Sequence, residues 1–165
     1  MSNSQAMGTP SVPSLIPLLN PLIRRLIGAG LPFGPNVLLT VRGRTSGLPR
    51  TFPIALLELG GRRYIQSPFG EVDWVRNLRA DPAAVVSRGE RREVVLAVEV
   101  PPQTAGPLFR DALAPYVRWR IGAAMVGRFF HVDRDATIDD YIVEAQRHPM
   151  FELLAAPGAM APSGS

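Results

Sequence analysis

Three arginines fall within the short segment Arg42-Gly43-Arg44-Thr45-Ser46-Gly47-Leu48-Pro49-Arg50. Arginine presents a planar fork of donors that matches phosphate and carboxylate oxygens. Ser46 adds a hydroxyl, and the glycines let backbone N–H groups come close to an anion. The segment therefore reads as a phosphate or carboxylate cradle, against the plainer reading of a solvated arginine-rich hairpin. It is not a nucleotide P-loop, because Lys and the required spacing are missing.

A second segment runs from Gln66 through Ser67-Pro68-Phe69-Gly70 to Trp74, Asn77 and Leu78. Ser67 to Gly70 reads as a loop after a strand, and Asp73 is placed to cap a short helix. Trp74 and Asn77 are three apart and share a helical face. A Trp can stack on a planar ring, and an Asn amide can fix a ligand or a strand. The alternative is that Trp74 and Leu78 fill the core while Asn77 bonds backbone.

Other chemistries are poorly supplied. The chain has no Cys, which excludes disulfides, thiolate metal sites and Cys nucleophiles. It has two His, too few for a multi-His metal centre. His131 with Asp133 and Asp135 reads as a solvated loop, and His148 before Pro149 as structural; no metal ligand is expected. No nucleophile–base dyad is legible. All 18 basic residues are Arg, and the net charge is +4. With no dense basic tract, nucleic acid is not an expected partner.

The length of 165 residues suits one domain. Residues 1–13 read as a flexible N-terminus, 14–156 as the domain and 157–165 as a flexible tail. Within residues 14–30, Leu22, Ile23, Leu26 and Ile27 share one face of an amphipathic helix, opened by Pro21 and closed by Gly28 or Gly30. Packing on its own domain is the first reading of that helix, and peripheral membrane contact the second. Short apolar strands are expected at Val37–Val41, Phe52–Leu59, Arg63–Gln66, Ala83–Ser87 and Glu93–Val100, with a final one at Met150–Leu154. Helices are expected at Asp73–Ala80, Thr104–Leu113 and Thr137–Arg147, while residues 116–130 are ambiguous. Such closely spaced strands suggest an antiparallel barrel or sandwich, in a mainly β member of the α+β class.

Gly43-Arg44-Thr45-Ser46-Gly47, Pro49-Arg50, Pro53, the Ser67–Gly70 loop and Trp74-x-x-Asn77-Leu78 resemble, in order and spacing, the deazaflavin-dependent nitroreductases and F420H2-dependent oxidoreductases. The likeness runs from about Val37 to Val100. It implies a flavin-reductase-like split β-barrel with an N-terminal helix and peripheral helices. It also implies coenzyme F420, a deazaflavin with a phosphate-linked polyglutamate tail. Carried over, Arg44, Thr45, Ser46, Gly47 and Arg50 would hold the phosphate and acidic tail. Thr51, Phe52 and Pro53, with Ser67, Pro68, Phe69 and Gly70, would line the ring, supported by Trp74 and Asn77. The chain departs from many relatives at Thr45 and Pro68, where they carry Lys; Arg42, Arg62 or Arg76 could supply the missing charge.

The implied reaction is hydride transfer from reduced F420 to an activated apolar acceptor: an enone, a quinone or a nitro compound. The proton would come from solvent, Ser67 or Tyr116. The alternatives are a non-catalytic barrel holding a lipid or other apolar ligand, and an FMN-dependent oxidoreductase. No apolar run reaches the roughly 18–20 residues that span a bilayer, and no secretory signal is indicated. The expected location is cytoplasmic or membrane-associated, and the expected state is monomer or homodimer.

Overall fold

The computed structural model describes residues 37–157. The helix expected over residues 14–30 lies outside them. The order of elements is β1 (Val37–Arg42), β2 (Pro49–Ile54), β3 (Leu56–Leu59), β4 (Arg62–Gln66), α1 (Asp73–Ala80), β5 (Ala83–Arg88), β6 (Arg91–Glu99), α2 (Pro102–Val117), α3 (Arg120–Phe129), α4 (Ile138–Arg147) and β7 (Met150–Ala155). Among the described residues, no helix is long and apolar enough to cross a membrane.

All seven strands form one antiparallel sheet in the order β2-β1-β5-β6-β7-β4-β3. Its two edge strands, β2 and β3, are consecutive in the chain, with only Ala55 between them. A flat sheet would hold those edges far apart. The sheet therefore curls until they meet at Ala55, which is a barrel split along one seam. The single strand expected at Phe52–Leu59 is thus two strands on opposite edges. Pro53 fits this arrangement: it has no N–H for a ladder, and β2 is an edge strand.

Alternation sorts the side chains into two cores. Val37, Leu39 and Val41 of β1, Ala84 and Val86 of β5, and Val95 and Ala97 of β6 point inward with Ile65, Phe151 and Leu153. Trp74, Val75 and Leu78 of α1 join this inner core. The outer face at Leu57, Tyr64 and Met150 is covered by helices carrying Phe109, Leu113, Val126 and Tyr141. Gly106 permits the close crossing of α2 and α4, since a Cβ there would lie 3.0 Å from the Ile142 backbone.

Helix α2 runs past the expected end at Leu113 to Val117, with Pro107 and Pro115 inside it. The ambiguous stretch at 116–130 holds its last turn and α3. Helix α4 starts where expected: Thr137 Oγ1 accepts from the Asp140 N–H, and Asp140 Oδ2 accepts from the Thr137 N–H. The Thr137 hydroxyl also donates to Asp140 Oδ2 at 2.7 Å, and this bond, with that from the Thr137 N–H, holds the Asp140 carboxyl below its ordinary pKa.

Candidate active site

The turn between β1 and β2 folds tightly because of its glycines. The Gly43 N–H donates to the Leu48 carbonyl at 2.8 Å, and the Gly47 N–H to the Gly43 carbonyl at 2.7 Å. Gly47 has φ of 68°, in the left-handed region. At Gly43 a Cβ would meet Ser46 Oγ at 2.8 Å and the Leu48 carbonyl at 3.1 Å, so the Ser46 hydroxyl would have to turn away. Ser46 Oγ accepts from the Leu48 N–H at 3.3 Å, which leaves its own proton available to a ligand.

Helix α1 holds the turn from beneath. Asn77 is buried, and its Oδ1 accepts from both the Arg44 backbone N–H at 3.2 Å and Arg44 Nη1 at 2.9 Å. Arg44 Nη2 reaches Asp73 Oδ1 at 3.2 Å. A chain of exposed ion pairs continues along the helix, from Asp73 to Arg76, Glu71, Arg79 and Glu99. Double contact with Glu99 raises the Arg79 pKa. Asp73 is not the helix cap that the sequence suggested. Val72 takes that position without a side-chain bond, and Asp73 begins the helix and faces Arg44.

An open pocket of about 720 Å³ lies over this turn, lined by residues from β2 and α1 as well as the turn itself. It brings together Arg44, Thr45, Ser46, Arg50, Thr51, Phe52 and Asn77 from the sequence-derived set. It adds Gly43, Pro49 and Asp73. Arg42 and Arg50 have no carboxylate partner among the described residues, and the Arg42 guanidinium lies across Gly47. By contrast, Arg62 pairs with Glu152, and Arg76 with Glu71 and Asp73.

Gly47, Pro53, Ser67, Pro68, Phe69, Gly70 and Trp74 do not line this pocket. Trp74 is in the inner core against Phe151, with ring centroids 5.8 Å apart. Ser67 is fully buried, and its hydroxyl donates to the Gly70 carbonyl at 2.6 Å. Phe69 is half exposed and meets Phe129 edge to face. Tyr116 packs against the outer core, on α2. No cluster of three or more metal-binding side chains occurs among the described residues. His148 is buried against Glu144, a structural setting as expected.

Sequence reasoning missed Glu144. The available signal was its position on α4, where it shares a face with buried Tyr141 and Ala145. An acidic residue on an apolar face needs partners, and His148 is four residues further on.

Fold and site together define a split antiparallel barrel with an open, arginine-lined pocket beside its β1–β2 turn. Residues 23–132 match the F420H(2)-dependent quinone reductase family, and the chain belongs to it. It is thus an F420H2-dependent reductase, an oxidoreductase whose cofactor is coenzyme F420. Among solved structures, the chain is similar to an F420-H2 dependent reductase at 22% identity, covering 72% of this chain and 93% of that one, with a TM-score of 0.43. A structure named F420 reductase is 14% identical over 74% of this chain and 88% of its own, TM-score 0.43. The heme storage protein HutZ of Vibrio cholerae is 15% identical over 85% and 92%, TM-score 0.46. No curated protein matches the chain significantly.

Proposed function

We propose that the pocket over the β1–β2 turn receives the phosphate and acidic tail of F420, and that the acceptor is an apolar quinone, enone or nitro compound. The observation that carries this reading is the donor set: Arg44 held in place by Asn77 and Asp73, Arg50 without a carboxylate partner among the described residues, and the hydroxyls of Thr45 and Ser46. Such groups fit a polyanion and have little to offer a purely apolar ligand. When bound, reduced F420 supplies the hydride.

The chain's own part is placement. Arg44 and Arg50 bind the tail, and Thr51 and Phe52 extend the wall from the tail toward the ring. The Ser67–Gly70 loop, which does not line this pocket, is assigned to the ring from the resemblance alone. Ser67 is fully buried, with its hydroxyl committed to Gly70 and its N–H and carbonyl paired with Pro149 and Gly70, so it shapes the loop and is not the proton donor. The proton that completes reduction is assigned to solvent entering the open pocket.

The test is turnover of reduced F420 with one acceptor from each class, followed by the return of oxidised deazaflavin absorbance. Faster turnover with quinone, enone or nitro acceptors than with oxygen alone is expected. Binding of F420 without turnover of any acceptor would overturn the acceptor assignment.

A further inference from the structure

Asp73 is the one acidic residue among the described residues that line the pocket over the β1–β2 turn, which it shares with Arg44 and Arg50. A carboxylate in that place repels an anionic ligand and competes with it for the arginines. The geometry shows which arginine it claims. Arg44 spends its fork on two residues of α1: Nη1 donates to Asn77 Oδ1 at 2.9 Å, and Nη2 to Asp73 Oδ1 at 3.2 Å.

The two contacts differ in kind. Asn77 is 3% exposed, and its Oδ1 also accepts from the Arg44 backbone N–H at 3.2 Å. Breaking that set would strand a buried amide oxygen, so it stays in place when a ligand arrives. The Asp73 side chain is 67% exposed, against 37% for Arg44. Water competes for both partners there, and an exposed pair of this kind is weakly held. Asn77 therefore fixes the guanidinium, while Asp73 takes its outer donor only for as long as no stronger anion does.

A second cation stands ready for Asp73. Arg76 is three residues further along α1, and its Nη1 lies 3.9 Å from the same Oδ1. The other carboxylate contact of Arg76, from Nε to Glu71 Oε1, is 3.7 Å. Neither reaches hydrogen-bond length, so Arg76 has donors to spare. A rotation of the exposed Asp73 side chain brings its carboxylate to Arg76 and frees Arg44 Nη2.

We propose that Asp73 is a specificity-determining residue of this pocket: it competes for the outer donor of Arg44, yields it to the anionic tail of F420 by turning to Arg76, and so sets how strongly a tailed deazaflavin is preferred over a tail-less one. The inference rests on the assignment of the pocket to that tail. A single carboxylate arriving at Arg44 replaces like with like. A tail with several charges meets Arg50 at the same time, and Arg50 has no carboxylate partner among the described residues. The ligand class that displaces Asp73 is therefore a polyanion.

The experiment measures, on the whole protein, the dissociation constants of F420 and of a deazaflavin without the phosphate and glutamate tail, by deazaflavin fluorescence. Asp73→Asn removes the charge and keeps an oxygen that can accept from Arg44. It should bind F420 about two- to fivefold more tightly than wild type at low salt, with the gain shrinking as salt rises. Affinity for the tail-less compound should not change. Asp73→Glu keeps the charge and should show none of the gain. In an Arg44→Ala background Asp73→Asn should lose most of its gain, because the contested donor is gone. Weaker F420 binding in Asp73→Asn would mean that the carboxylate orients Arg44 for the ligand, and would overturn the proposal. An equal gain for the tail-less compound, or a gain undiminished without Arg44, would overturn it as well.

Arg50→Ala separates this inference from the pocket assignment. Loss of the preference for tailed cofactor in Arg50→Ala, with no gain in Asp73→Asn, counts against Asp73 alone. A preference untouched by either variant counts against the pocket itself, and the role of Asp73 falls with it.

Discussion

Two regions of this molecule gather charged groups, and they do so in opposite ways. At the β1–β2 turn, Arg42 and Arg50 sit in water without a carboxylate among the described residues, and Arg44 is shared between the Asn77 amide and the exposed Asp73. Beneath α4, Glu144 is sealed from water with Arg147 and His148 against its two oxygens. The first arrangement leaves positive charge for something else to neutralise. The second pairs charge internally, with Arg147 bonded to one Glu144 oxygen and His148 beside the other. A ligand site and a support can therefore be told apart by whether their electrostatics are complete without a ligand.

Perturbing the support layer should produce the largest effect, and on stability rather than on recognition. Phe109 is fully buried among Phe130, Tyr141 and His148. Phe109→Ala should cost about 3–5 kcal/mol in denaturant unfolding. Loss of under about 1 kcal/mol would mean that the helical layer packs loosely and supports little.

The turn should respond in the opposite sense. Arg50→Ala should weaken F420 binding about tenfold or more, the scale of a lost charge-assisted hydrogen bond, with little change in melting temperature. Unchanged binding together with a clear drop in melting temperature would reverse the contrast between the regions. A smaller gain is expected from Thr45→Lys, which adds a cation at the pocket wall. An exposed pair of this kind strengthens binding by roughly two- to fivefold and less in high salt. A salt-insensitive gain would point away from charge as its cause.

The smallest effect concerns the pair of Arg63 with Glu93, doubly bonded at 2.6 and 2.7 Å. The hydrogen bonds and charge of Arg63 hold the Glu93 carboxyl below its ordinary pKa. Its stabilisation is therefore present above the usual carboxylate range and is lost as pH falls through the lowered value. Both side chains are partly exposed, so Arg63→Gln should cost less than about 1 kcal/mol at neutral pH. The difference from wild type should vanish in strong acid; a difference that persists there would be due to packing.

Local patterns were the legible part of this chain. Gly43, Gly47 and the intervening arginines mark a turn because their conformational demands are local, and Thr137 with Asp140 marks a helix start for the same reason. The strand break at Ala55 was hidden, since Phe52 to Leu59 reads as one apolar run whichever sheet edge each half joins. Asp73 looked like a cap because position alone suggested it; its partner Arg44 lies 29 residues earlier in the chain and meets it only through the fold. Glu144 was missed although Arg147 and His148 lie only three and four residues on, because what buries the carboxylate is the packing of α4 in the helical layer. Pairings across the chain belong to tertiary structure, and periodicity carries little of that information.

The central claim is that the pocket over the β1–β2 turn holds the anionic tail of F420. It is tested most directly by comparing the dissociation constants of F420 and of a deazaflavin lacking the phosphate and glutamate tail, in wild type and Arg50→Ala. Wild type should prefer the tailed cofactor by about tenfold or more, and the variant should lose most of that preference. Equal affinity of wild type for both compounds, or a preference untouched by Arg50→Ala, would contradict the assignment.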